Sequence, residues 1–217
     1  MSGRHELVAH LAERGITDPG VLAAMALVPR EEFVPASSRD EAYGDRAMAI
    51  GHGQTISQPL MVALMVQALE LRAGDAVLDV GTGSGYQAAV MAACGTRVVG
   101  VERIPELATE AGERLRRLGY AVDVVCGDGS LGLSTPGDVH FDAIAVGAAA
   151  PRLPVGLARQ LADGGRLVVP ISGPAQGEML TRLRVTGGRW LTENLGPCRF
   201  VPLIGADGYE NGDTRLA

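Results

Sequence analysis

Three glycines spaced two apart, Gly81, Gly83 and Gly85, stand in "LDVGTGSGYQ" between a short apolar run and a helical pattern. A loop of this kind brings backbone N–H groups close to a polar ligand and aims a helix N-terminus at it. A dinucleotide-binding loop would need its last glycine at position 86, which is Tyr86 here. Glu102 follows 21 residues after Gly81, at the end of the next apolar run. An acid at about that distance accepts hydrogen bonds from ribose hydroxyls. Asp128, in "CGDGS" at the end of a third run, is placed to accept from an adenine amino group. Singly, each feature also reads as a tight turn or a helix cap. Together they point to a nucleoside without a pyrophosphate, and S-adenosylmethionine fits: adenosine toward Glu102, the methionine end toward the glycine loop.

A second polar stretch, "GHGQTISQP" at 51–59, runs directly into the apolar "LMVALMVQALEL". Only Ile56 in it is aliphatic. With Pro59 at the first helical position, Ser57 or Gln58 could cap a helix over 59–70. The same polar groups could instead face a substrate, carried on a rigid support.

The elements that must position these residues alternate between strand and helix. Strands are expected at 76–81, 97–102, 122–128, 141–147 and 165–171, with helices over 86–94, 104–119 and 154–164. That order predicts a parallel sheet covered on both faces. In the helix over 104–119, Glu110 with Arg114 and Glu113 with Arg117 read as i,i+4 pairs. Beyond residue 178, "MLTRLRVT" and "RWLTENL" alternate with no helix between them, predicting an antiparallel edge. Two short helices are expected near 5–15 and 18–30, then a long irregular loop to residue 59. Phe33, Tyr43 and Ile50 argue that this loop is ordered. One domain of 1–217 is expected: a helical and loop extension over 1–70, a cofactor-binding core with C-terminal strands over 71–205, and a tail over 206–217.

Composition narrows the function. The 217 residues are 47% hydrophobic and carry a net charge of −6, enough apolar surface for a core and a poor match to nucleic acid. All 19 basic residues are arginine. No apolar run approaches the ~18 residues of a membrane span, and no secretory h-region is visible, so a cytoplasmic protein is expected. Cys94, Cys126 and Cys198 form no CxxC or Cys/His cluster, which gives no reason to expect a metal site.

The segments "REEFVP", "DEAYGDRAMAIGHGQTISQP", "VLDVGTGSGYQAAVMA", "VVGVERIPELA", "GDGSLGL", "FDAIAVGAAAPRLP", "GGRLVVPI" and "RFVPLIG" together resemble the protein-L-isoaspartate (D-aspartate) O-methyltransferase family. The resemblance spans roughly residues 20–205 and rests more on "ISQP" than on the glycine loop. It implies a Rossmann-like class I methyltransferase fold and transfer of a methyl group from S-adenosylmethionine. The acceptor it implies is the α-carboxylate of L-isoaspartyl residues in damaged proteins, with D-aspartyl residues a second candidate. The ester then closes to a succinimide, which starts repair. By the same resemblance, "QTISQP" walls the cofactor's methyl group from the peptide, Ser57 donates to the acceptor carboxylate, and Thr55, Ile56, Gln58, His52 and Val201 meet the peptide. The cofactor set it implies is Asp79, Gly81, Thr82, Gly83, Ser84, Gly85, Glu102, Arg103, Asp128 and Gly129. No heptad or large apolar face is evident, so a monomer is expected.

The chain departs from common family patterns at His52, Leu60 and Gly147, all flanking the peptide rather than the cofactor. Two alternatives follow: methylation of aspartate in one dedicated biosynthetic peptide, and a small-molecule methyltransferase on the same fold. A carboxylate acceptor is ionised at neutral pH, so no general base is required.

Overall fold

The computed structural model describes residues 3–133, 140–173 and 177–210. Residues 211–217 of the expected tail lie outside them. Two N-terminal helices, α1 (Arg4–Glu13) and α2 (Pro19–Leu27), precede a two-stranded hairpin, β1 (Met48–Gly51) and β2 (Gln54–Ile56). Helix α3 (Pro59–Ala68) leads into β3 (Ala76–Val80), α4 (Tyr86–Ala93), β4 (Arg97–Glu102), α5 (Pro105–Arg117) and β5 (Val122–Cys126). The chain continues through β6 (Phe141–Val146), α6 (Val155–Arg159), β7 (Leu161–Gly173), β8 (Gly177–Thr186) and β9 (Arg189–Cys198).

Seven strands form one sheet in the order β5-β4-β3-β6-β7-β8-β9. Pairings from β5 through β7 are parallel, and β7–β8 and β8–β9 are antiparallel. The mostly parallel sheet with an antiparallel edge is thus the expected architecture. From β3 the chain first builds outward through β4 and β5, then returns to the other side of β3 as β6. The carboxyl ends of β3 and β6 are therefore a topological switch point, where open α/β sheets bind ligands. Apolar residues cover both faces: Val77, Tyr86, Val90 and Leu115 pack on one side, and Leu78, Val80, Ile144 and Leu157 on the other.

Local expectations fail in three places. The helix expected over 154–164 stops at Arg159, because the Gln160 carbonyl accepts the Phe141 N–H (2.7 Å) and Leu161 already pairs with Phe141 in the sheet. Arg117 leaves Glu113 and reaches Glu32 at 3.0 Å, joining α5 to the N-terminal segment. The loop before residue 59 is ordered, but it holds two short 3₁₀ turns and the β1–β2 hairpin rather than irregular chain. That hairpin turns through three left-handed residues, Gly51, His52 and Gly53, and only the two glycines suit such a backbone. Residues 199–205 form no strand; Pro202 makes a single bridge with Ala149.

The C-terminal strands hold the end of α3. Arg166, buried in β7, donates to the Leu69 carbonyl (2.6 Å) and the Glu70 carbonyl (2.7 Å), and pairs with Asp75 at 3.0 Å. Arg182 adds bonds to the Ala68 carbonyl (3.2 Å) and to Glu70 (2.8 Å), so cations meet the negative end of the helix. Replacing Arg166 by Leu is expected to lower stability by roughly 3–5 kcal/mol, since Asp75 and two carbonyls lose their donor. Urea unfolding of the two proteins measures it, and a loss below about 1 kcal/mol would show that water replaces the guanidinium at little cost.

Candidate active site

The glycine loop leaves β3 with Gly81, Gly83 and Gly85 all at positive φ. A Cβ on Gly85 would come within 3.1 Å of Leu115, so both conformation and packing demand glycine there. Gly81 donates to the Val101 carbonyl (2.8 Å), and the buried Thr82 hydroxyl donates to the Asp79 carbonyl (3.1 Å). Glu102, buried at the end of β4, accepts the Gly83 N–H on one carboxylate oxygen (2.9 Å) and the Ile104 N–H on the other (2.9 Å). Each oxygen keeps a further lone pair for a ligand hydroxyl.

Val80, Gly81, Gly83, Glu102, Arg103 and Gly129 line a cavity at the switch point, closed on the other side by Gln54, Thr55 and residues 201–204. Asp128 is outside that lining. Its carboxylate accepts from Ser130 N–H (2.8 Å) and Ala206 N–H (2.8 Å), tying the end of β5 to the C-terminal segment. Burial alone would raise the Asp128 carboxyl, yet these N–H groups hold it below the ordinary carboxylate range. Ser84 is buried beneath the loop, within reach of the Tyr86 N–H at 3.4 Å.

Asp79 is fully buried at the root of the loop. Gln87 donates to one of its oxygens (2.9 Å), and the other is buried with no partner among the described residues. Burial pushes its carboxyl up to about 6, against the opposing bond from Gln87. Like Asp128, Asp79 is outside the lining of the cavity at the switch point, beneath Gly81 and Thr82, which do border the cavity or the cleft beside it.

A second cavity adjoins the first, lined by Ala47, Ser57, Gln58, Met61 and Phe200 among others. Thr55, Gly147 and Val201 line both, so they stand between the two spaces. A Cβ on Gly147 would sit 3.0 Å from the Gly81 carbonyl, which keeps that boundary thin. Ser57 also lines a small cleft shared with Gly81, Thr82 and Ser84. Its hydroxyl makes no hydrogen bond among the described residues, and neither Ser57 nor Gln58 caps α3 with its side chain. Asp45 does so from fifteen residues upstream: one oxygen accepts the Leu60 N–H (2.9 Å), and the other accepts the Gln58 amide (3.3 Å) and contacts His10 (3.2 Å).

Two residues expected at the peptide lie outside the linings of these two cavities. Ile56 is buried in the core, where it anchors the turn, and it borders the small cleft beside Ser57. His52 is exposed at the hairpin tip and lines neither cavity. Asp45 was not legible in the sequence, because Ser57 and Gln58 both stood as local caps for a helix beginning at Pro59. Sequence reasoning also missed Arg30, a buried guanidinium that donates to the Ser57 carbonyl at 2.8 Å.

Comparison with known proteins agrees with this geometry. The model of the protein-L-isoaspartate(D-aspartate) O-methyltransferase family matches residues 2–208. The chain belongs to this family. It is 50% identical over 207 residues to the protein-L-isoaspartate O-methyltransferase of Roseiflexus castenholzii, covering 95% of this chain and 94% of that one. A relative of the same type from Marinobacter nauticus is 50% identical over 202 residues, covering 92% and 91%. Among solved structures, a putative protein-L-isoaspartate O-methyltransferase from Plasmodium falciparum, in complex with S-adenosyl-L-homocysteine, superposes with a TM-score of 0.81. It is 28% identical and covers 94% of this chain and 99% of that one. The Rossmann-like class I methyltransferase fold expected from sequence is thereby established. Among the described residues of this methyltransferase, no group of three or more His, Cys, Asp or Glu side chains is arranged to hold a metal ion, and no helix is long and apolar enough to cross a membrane.

The raised Asp79 carboxyl makes a testable pH dependence. Below its unfolded value of 3.8, folded and unfolded chains both hold the proton; from there to about 6 only the folded chain does. Stability of the ligand-free methyltransferase should therefore fall as pH rises through that window, by on the order of 2–3 kcal/mol. Asp79→Asn is expected to flatten this slope in urea unfolding at pH 4 to 7, and to weaken binding of S-adenosylhomocysteine at least tenfold by calorimetry. An unchanged slope would show that Asp79 is not the group that titrates.

Proposed function

We propose that the chain transfers a methyl group from S-adenosylmethionine to the α-carboxylate of L-isoaspartyl residues in damaged proteins, the step that starts repair through a succinimide. Family membership supports the activity. The observation that carries the site assignment is the junction of two cavities at Thr55, Gly147 and Val201, with the Ser57 hydroxyl unengaged beside it. Gly81, Gly83, Glu102 and Arg103 hold the nucleoside side, with Asp79 taking the ammonium of the methionine end. Asp128 positions Gly129 and the C-terminal segment around the same ligand. The cofactor, when bound, supplies an electrophilic methyl group on a sulfonium sulfur.

The protein's task is then geometric. Ser57 donates a hydrogen bond to the acceptor carboxylate and leaves its charge in place, because a full ion pair would quench the nucleophile. Thr55 and Val201 set the line along which a carboxylate oxygen approaches the methyl carbon. Gln58, held by Asp45, lines the peptide side with Met61 and Phe200. As the new C–O bond forms and the C–S bond breaks, the bonding pair passes to sulfur, and no proton has to move. His52 is accordingly not needed as a base. In this reading the whole chain acts as one methyltransferase domain, with residues 1–70 carrying the substrate turn, and works as a cytoplasmic monomer.

Two synthetic peptides differing only in one L-isoaspartyl versus one L-aspartyl residue provide the test. Labelled methyl is expected on the isoaspartyl peptide alone, and Ser57→Ala is expected to lower kcat/KM by ten- to a hundredfold, the range of one lost transition-state hydrogen bond. Labelling of neither peptide, with S-adenosylmethionine still bound, would favour the dedicated-peptide alternative or another acceptor. Because the acceptor carboxylate is ionised well below neutrality and bound cofactor keeps Asp79 ionised, kcat/KM for the peptide at saturating S-adenosylmethionine should stay flat from pH 6 to 8. A bell-shaped profile in that range would reveal a base that the mechanism does not contain.

A further inference from the structure

Arg30 has no part in the chemistry above, yet its side chain is among the largest that are fully buried among the described residues. Its Nε donates to the Ala42 carbonyl (2.9 Å), and Nη2 donates to the carbonyls of Ser57 (2.8 Å) and Arg46 (3.4 Å). Nη1 is buried without a partner among the described residues. The guanidinium carbon lies 4.8 Å from the centre of the Tyr86 ring. Tyr86 is the first residue of α4, directly after Gly85, and Phe33 meets its ring edge-on at 5.5 Å.

No carboxylate lies within ion-pair distance of Arg30 among the described residues, so acceptor dipoles and one aromatic face offset the cost of burying its charge. That cost is several kcal/mol in a typical interior. An apolar side chain of similar volume would fill the same space more cheaply. What the arginine adds is a rigid planar fork that binds carbonyls with its edge while its face stacks on a ring. Here the edge holds the turn that carries Ser57, and the face holds the aromatic residue at which the cofactor loop becomes a helix. Asp45 holds the same turn from the helix side, through Leu60 N–H and the Gln58 amide.

We propose that Arg30 is a positioning residue for methyl transfer, setting the separation between the carboxylate-binding turn at Ser57 and the glycine loop through Tyr86. This rests on the reading of Ser57 as the acceptor's hydrogen-bond donor. Lysine at position 30 keeps the charge but loses both the fork and the stacking face.

Arg30→Lys, Ser57→Ala and the unaltered protein are compared by steady-state kinetics on the isoaspartyl peptide, by calorimetry with S-adenosylhomocysteine, and by amide hydrogen exchange. For Arg30→Lys, kcat should fall at least tenfold while the Kd for S-adenosylhomocysteine stays within twofold. Amides of residues 54–60 should exchange at least tenfold faster, with those of β3 and α4 unchanged. Arginine at 30 would be only a packing element if the folded variant kept kcat and the exchange of 54–60 within twofold. A parallel loss of kcat and cofactor affinity would also overturn the proposal, placing the effect on the glycine loop alone. If Arg30→Lys does not fold at the assay temperature, Tyr86→Leu removes the stacking face and is read by the same criteria. If the unaltered protein fails to methylate the peptide, or Ser57→Ala leaves kcat intact, the reading of the acceptor site falls. The exchange of 54–60 then still decides whether Arg30 holds the turn.

Discussion

The N-terminus of α3 lies buried behind the Ser57 turn, and a buried helix end needs an acceptor for its free N–H groups. Asp45 meets that need from another part of the chain. Had Ser57 closed the helix locally, a hydroxyl lining the second cavity would have been consumed by its own backbone. A distant cap therefore does two things at once. It ends the helix, and it leaves the Ser57 side chain uncommitted among the described residues, at the lining of the second cavity.

The same economy of position runs through the protein's buried charges. Each sits where two segments distant in sequence must be held in register. Arg166 joins the end of α3 to β7, and Glu102 joins the glycine loop to the chain after β4. Arginine suits the cationic examples because its planar fork engages several carbonyls at once, and this chain has no lysine. Asp79 is the exception, since one of its oxygens is buried unpaired and its carboxyl is raised accordingly. An acceptor buried in this way costs stability once ionised, which is why its carboxyl holds its proton to higher pH.

The cofactor half of the site was legible because its parts are local. Glycine spacing, an apolar run before it and an acid at the end of the next run all follow from one βαβ unit. The substrate half was legible mainly through resemblance. Its turn was recognisable, but its hairpin was not, because β1 and β2 are only four and three residues long. Pairing that short shows no alternation in sequence. Asp128 illustrates the limit from the other side: an acid at the end of a strand was evident, but its engagement with Ala206 depends on a segment 78 residues away.

The amino-acid sequence by itself determined the parallel sheet, its antiparallel edge, the glycine loop and the class of cofactor. Those depend on periodicity and on neighbours within about thirty residues, where composition and backbone preference act directly. Tertiary structure alone decided that α6 ends early, that Arg117 reaches Glu32 instead of Glu113, that Asp45 caps α3, and that Arg30 lies against Tyr86. For α6, α3 and Arg30 a buried polar group or a strand pairing outweighed a local preference worth only a few tenths of a kcal/mol to about 1 kcal/mol. Arg117, largely exposed, instead exchanges one weak surface pair for another. Leaving a buried polar group unpaired costs about 1–3 kcal/mol, and the fold settles those contacts first.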